Sequence, residues 1–207
     1  MKMKFYLSSF KFGKDKDLLA KLAPTNKIAI IPNALDFRDM NSQQTKHSLQ
    51  NKVLRLSELG FEPEVIDLKS YFGKKDELRK IIEAMKSVFV LGGNVFVLRQ
   101  AMKLSGLDQI ILDQVDNSDF LYAGYSAAGC VLAPSLEPYK AVDDVSQIPY
   151  PGQTEVIIEG LGLVDFAFMP HWNSDHPESR RIGAIIEYCK RHHIKYKALP
   201  DGEVLIF

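Results

Sequence analysis

Only two cysteines, Cys130 and Cys189, occur in the 207 residues, too few for a disulfide framework, so an apolar core must hold the fold. An excess of one charge is also missing. The 26 basic and 26 acidic residues cancel, which removes the electrostatic case for a nucleic acid or an anionic membrane as partner. No apolar run approaches a membrane span, and the apolar part of the amino-terminal seven residues is too short for a secretory signal. The expected location is the cytoplasm, with both thiols buried and reduced. Repeats, low-complexity tracts and linkers are lacking too, so residues 1–207 read as a single domain. With 46% hydrophobic residues, a chain of this length buries one sizeable core.

What is present is alternation. Short apolar runs at residues 5–7, 28–31, 65–68, 88–91, 120–123 and 166–169 read as parallel strands. Between them lie stripes at helical spacing: Leu49, Val53 and Leu56 before Gly60, then Leu78, Ile81, Ile82 and Met85. Pro177 near a helix start leads into Ile182, Ile185, Ile186 and Cys189, a third buried face. This pattern predicts an α/β fold, a three-layer αβα sandwich around a mostly parallel sheet. Such sheets gather ligands at the carboxyl ends of their strands.

One strand end carries chemistry. Gly124-Tyr125-Ser126-Ala127-Ala128-Gly129 follows the run at 120–123 and has the outline of a nucleophile elbow, a serine between small residues at a strand-to-helix turn. A serine hydroxyl needs a histidine to take its proton and a carboxylate to orient that histidine. Pro170-His171-Trp172 ends the run at 166–169, which makes His171 the expected base. Asp143-Asp144 is the only acidic pair on the connecting segment, and Asp144 is preferred slightly over Asp143 as third member. Attack also creates an oxyanion. Leu91-Gly92-Gly93-Asn94, between a buried strand and a helix, offers backbone amides for it, and Ala127 adds its own.

In this order the motifs resemble the aspartyl dipeptidase and cyanophycinase group of serine peptidases, within the class I glutamine amidotransferase-like superfamily of flavodoxin-like folds. The corresponding residues are Gly92-Gly93-Asn94, Gly124 to Gly129, Asp143-Asp144 and Pro170-His171. The resemblance implies Ser126 as nucleophile, His171 as base, one of the two aspartates as third member, and Gly93 and Ala127 as oxyanion donors. It further implies hydrolysis of short peptides; Gly92 and Asn94 are expected at the substrate, and no cofactor is expected. The dipeptidases read an acidic amino-terminal residue with a basic patch after the histidine; here His176, Arg180 or Arg181 would face that carboxylate. Two departures stand out. The serine-alanine-glycine-alanine order of the family is Ser126-Ala127-Ala128-Gly129 here. The sequence after Pro200 also lacks the family's closing hairpin, which would leave a sheet edge open to self-association as a homodimer.

Other readings compete. An α/β-hydrolase esterase shares the Ser, Asp, His order, but this chain is short for that fold and its glycine turn lacks a preceding histidine. His171, Asp175 and His176 form a weak metal set without a clear ligand framework, and no metal is expected. A binding or sensor protein that kept the cleft and lost turnover is the non-enzyme alternative.

Overall fold

Why the apolar runs become strands is visible in their burial. In a computed structural model, which describes residues 2–207, the first six strands are β1 (Lys4–Ser8), β2 (Lys27–Ile31), β3 (Glu62–Val65), β4 (Ser87–Val90), β5 (Leu121–Tyr125) and β6 (Ala167–Met169), and all but β3 fall on buried apolar runs. Two further strands close the chain, β7 (Tyr196–Ala198) and β8 (Val204–Ile206). The helices are α1 (Lys16–Leu22), α2 (Gln43–Glu58), α3 (Lys75–Met85), α4 (Val95–Ser105), α5 (Leu107–Leu112), α6 (Ala127–Cys130) and α7 (Ser179–Arg191).

The main sheet has the order β3-β2-β4-β5-β1-β8, parallel throughout except that β8 runs antiparallel to β1. Period-2 alternation sends neighbouring residues of one strand to opposite faces. Ile28, Ile30, Phe89, Leu91, Leu121 and Ala123 pack with Leu19 of α1 and Leu56 of α2. Ala29, Ile31, Val88, Val90 and Tyr122 pack with the apolar stripes of α3, α4 and α7 on the other side. Central strands buried on both faces are what a parallel sheet between two helical layers requires, and the expected three-layer sandwich is what forms.

Three expectations need correction. The run at 65–68 leaves the sheet at once: β3 pairs from Glu62 to Val65, and Asp67 then accepts from the Lys69 amide and turns the chain into a single 3-10 turn. The run at 166–169 is not in the main sheet. It pairs with β7 in a separate parallel two-stranded sheet, because the outer edge of β1 is already taken by β8. The segment after Pro200, expected to leave a sheet edge open, supplies β8, which covers the edge of β1.

Parallel strands share a direction, so the ends of β1, β4 and β5 lie along one edge of the sheet, and the segments after β6 and β7 return to it: Ser9 after β1 contacts both His171, after β6, and Asp201, after β7. The thiols of Cys130 and Cys189 are buried and unbridged, and burial raises the pKa of both. Among the described residues no helix is long and apolar enough to cross a membrane.

Candidate active site

At the end of β5 the backbone turns so sharply that Ser126 adopts φ 53° and ψ −111°, a left-handed conformation costly for a residue with a β-carbon. The surroundings hold it there. Its amide donates to the Ser8 carbonyl at the end of β1 (3.1 Å), and its carbonyl accepts from the Gly129 amide (2.9 Å) as α6 begins. The altered elbow order has a steric reason. A β-carbon at position 129 would come within 2.5 to 2.8 Å of the Phe168 ring on β6, so the glycine is needed where β6 crosses α6, and alanine fits at 128.

His171 is the buried partner, 2% exposed, and its amide donates to the Ser9 hydroxyl (2.8 Å). Its Nε2 lies 3.3 Å from Ser126 Oγ, and its Nδ1 lies 2.7 Å from Asp201 Oδ1. Asp201 occupies the turn between β7 and β8. Its amide donates to Ser174 Oγ (2.7 Å), and its Oδ1 is 2.9 Å from the Ser9 hydroxyl. Burial lowers the His171 pKa below the usual histidine value, and the hydrogen bond to Asp201 opposes part of that shift. The imidazole is therefore neutral at neutral pH, with one nitrogen free to accept a proton.

Asp201 stands where Asp144 or Asp143 was expected. Asp144 is exposed, and its carboxylate accepts from the Ser146 amide and hydroxyl (2.9 and 2.7 Å), which hold its pKa down. Asp143 accepts from the Val95 amide at the start of α4 (2.7 Å). The acidic loop thus docks on the first turn of α4, and neither carboxylate pairs with His171.

Desolvation raises the Asp143 pKa to about 7, although the Val95 amide opposes the shift. A carboxyl whose pKa is raised on folding stabilises the protein below its unfolded value near 4, and that contribution is lost as pH rises through about 7. Asp143→Asn keeps an acceptor for Val95 without the ionisation. Its Tm relative to the parent should therefore rise by several degrees between pH 4 and pH 8; a constant difference would show that Asp143 ionises freely.

The cleft in front of Ser126 has a volume of about 440 Å³ and is lined by Gly92, Gly93, His171, His176 and Glu178, and also by Phe10, Arg38 and Lys52. Gly93 fits because a β-carbon there would overlap the Ala34 carbonyl. Among the described residues, the amides of Gly93 and Ala127 donate to no protein acceptor. Asn94, expected at the substrate, faces away. Its Oδ1 caps α4 by accepting from Phe96 and Val97, and its Nδ2 donates to the Asp144 carbonyl (2.8 Å).

The basic patch also moves. Arg180 and Arg181 are exposed and line no part of the cleft, and Arg181 reaches only the Val142 carbonyl at 3.4 Å. Positive charge comes instead from Arg38 and Lys52. The loop carrying Arg38 is fixed by Asp36, which accepts from Asn33 Nδ2 and the Tyr150 hydroxyl (both 2.7 Å) and pairs with Lys69 (2.8 Å). Burial, with Lys11 and Arg38 nearby, lowers the Lys52 pKa.

His176 does reach the cleft. Its ring stacks on His171 with centroids 3.7 Å apart and planes 9° from parallel, and its Nδ1 accepts from the Glu178 amide (3.3 Å). His171, His176 and Glu178 offer ligand atoms within 4.8 Å of one another, and Asp175 is not among them.

Known proteins are similar to this chain in sequence and in fold. The chain is 28% identical to an uncharacterized peptidase of Listeria innocua over 69% of its length and 65% of the relative's. It is 28% identical to peptidase E of Streptomyces coelicolor over 84% of its length and 63% of that protein. The chain thus matches slightly less than two thirds of either relative. A Drosophila melanogaster protein named as an alpha-aspartyl dipeptidase is 26% identical over 91% of the chain and 69% of its own length. Among solved structures, a Listeria monocytogenes protein described as a candidate peptidase E superposes with a TM-score of 0.74 at 22% identity, covering 100% of this chain and 98% of that one. That likeness shows the fold. Residues 10–207 match the model of peptidase family S51, and the chain belongs to that family.

Proposed function

We propose that the protein is a serine peptidase that hydrolyses short peptides, chiefly dipeptides with an acidic first residue. The observation that carries this reading is the continuous contact from Ser126 Oγ through both nitrogens of His171 to Asp201. His171 Nε2 takes the Ser126 proton as Oγ attacks the peptide carbonyl, while Asp201 fixes the tautomer and balances the imidazolium. The free amides of Gly93 and Ala127 receive the oxyanion. Collapse breaks the carbon–nitrogen bond, and His171 returns its proton to the leaving amine. Water, deprotonated by the same imidazole, then releases the acid from the ester and restores Ser126. A cleft of about 440 Å³ suits a peptide of a few residues, and Arg38 is the group positioned to pair with a substrate carboxylate.

A panel of dipeptides followed by mass spectrometry tests the reading, together with a fluorophosphonate probe for an activated serine. Preferential loss of peptides with Asp or Glu first, and an adduct on Ser126, are the expected results. Cleavage of small esters with all peptides left intact would favour an esterase, and binding without product a sensor. Arg38→Ala should raise KM for the acidic peptides by about 10- to 100-fold, the value of a hydrogen-bonded charge pair, with little change for neutral ones. Equal effects on both would remove Arg38 from recognition.

A further inference from the structure

A second charge beside the nucleophile is negative. Glu178 lines the cleft with Ser126 and His171 and also the small cavity behind Ser126 and Ala127. Its Oε2 lies 4.0 Å from His171 Nε2, and its side chain is 38% exposed. Among the described residues no lysine or arginine pairs with it: its one charge contact is that distance to His171. The hydrogen bond from its amide to His176 Nδ1 fixes the backbone from which it projects. A carboxylate left without a cation in a cleft that otherwise presents Arg38 and Lys52 is placed to receive one from the substrate.

We propose that Glu178 binds the free α-ammonium group of the substrate, so that the enzyme selects peptides with an unblocked amino terminus. This rests on the peptidase reading above. The dimensions fit. The α-nitrogen of the first residue stands two bonds, about 1.5 Å each, from the carbonyl carbon that Ser126 attacks. With His171 Nε2 only 3.3 Å from Ser126 Oγ and 4.0 Å from Glu178, Glu178 is near enough for an ammonium in hydrogen-bond contact with it to bring its own carbonyl carbon within reach of Oγ. Glu178 then recognises the amine and Arg38 a carboxylate of the same substrate. An internal peptide bond, whose corresponding nitrogen is an uncharged amide, leaves Glu178 without its cation. Cleavage is thereby confined to the bond after the first residue.

The test compares an aspartyl dipeptide with its N-acetyl counterpart in two backgrounds. In the active enzyme, kcat/KM should favour the free amine by about 100-fold or more, and Glu178→Gln, which keeps shape and removes charge, should reduce that ratio to within about tenfold. Taking the ratio within one protein cancels any effect of the substitution on His171 or on folding. In a Ser126→Ala background, calorimetry should show tighter binding of the free-amine peptide, and Glu178→Gln should abolish the preference. Turnover in no form, with the calorimetric preference present and dependent on Glu178, would overturn the peptidase reading and sustain the anchor. Ser126-dependent turnover with an unchanged ratio in Glu178→Gln would overturn the anchor alone. Equal binding of both peptides to the Ser126→Ala protein would also overturn it.

Discussion

Replacing Ser126 by alanine should lower kcat on the best dipeptide by about five orders of magnitude or more, the loss expected when the nucleophile of a serine–histidine pair is removed. What remains is the contribution of the amides at Gly93 and Ala127 and of substrate binding. The fold should not change, because alanine keeps the β-carbon and inherits the strained backbone at φ 53°. Ser126→Gly separates chemistry from strain: it should be equally inactive, yet more stable than Ser126→Ala by about 1 kcal/mol, since glycine adopts this conformation freely. Steady-state kinetics and thermal melts read the two effects independently. Retention of more than about 1% of the activity in Ser126→Ala would remove the serine from the mechanism.

Much of the fold was legible because burial dictates it. A strand covered by helices on both faces reads as an unbroken apolar run, and the runs at β2, β4 and β5 sit within a residue or two of their sequence positions. The same holds for the amphipathic stripes of α2, α3 and α7. Legibility failed where pairing rather than burial decides. β7 and β8 have three residues each, all at least partly exposed; β7 carries no apolar run, and the run at 204–207 does not show by itself which strand it joins. Without them nothing in the sequence shows that β8 occupies the edge of β1 or that β6 has its own partner.

That blind spot accounts for the site as well. The contact between Ser126 and His171 was legible because each residue follows a buried strand closely. Asp201 was not, because it follows β7, and Pro200-Asp201-Gly202 reads as an ordinary turn until that strand is placed beside β6. The acidic pair drew the expectation because Asp143 and Asp144 lie between the serine and the histidine in the chain, but a helix start can use a carboxylate as readily as an imidazole can, and Asp143 contacts the start of α4. Arg38 and Lys52 lie before the Gly92-Gly93-Asn94 turn and the elbow, in a loop and on α2. Their signal was positional, since the loop after β2 opens at the same sheet edge as the elbow.

The same placement predicts the second large effect. Asp201→Asn should reduce kcat by about 10³- to 10⁴-fold with a smaller change in KM, because an amide beside His171 Nδ1 can donate where the carboxylate only accepts. Donation from the amide puts the imidazole proton on Nε2, the nitrogen that must accept the Ser126 proton. The pH profile carries a second signature. Burial already holds the His171 pKa below its usual value, and Asp201 is the strongest influence raising it. The acid limb of kcat/KM should therefore lie below pH 6.5 in the parent, and further down for whatever activity Asp201→Asn retains. Asp144→Asn, an exposed loop residue bonded to Ser146, should leave both rate and profile in place. Measuring the two variants side by side decides between the aspartate that contacts His171 and the one that precedes it in the chain: a loss in Asp144→Asn as large as in Asp201→Asn would mean that the resting contact is not the one used in turnover.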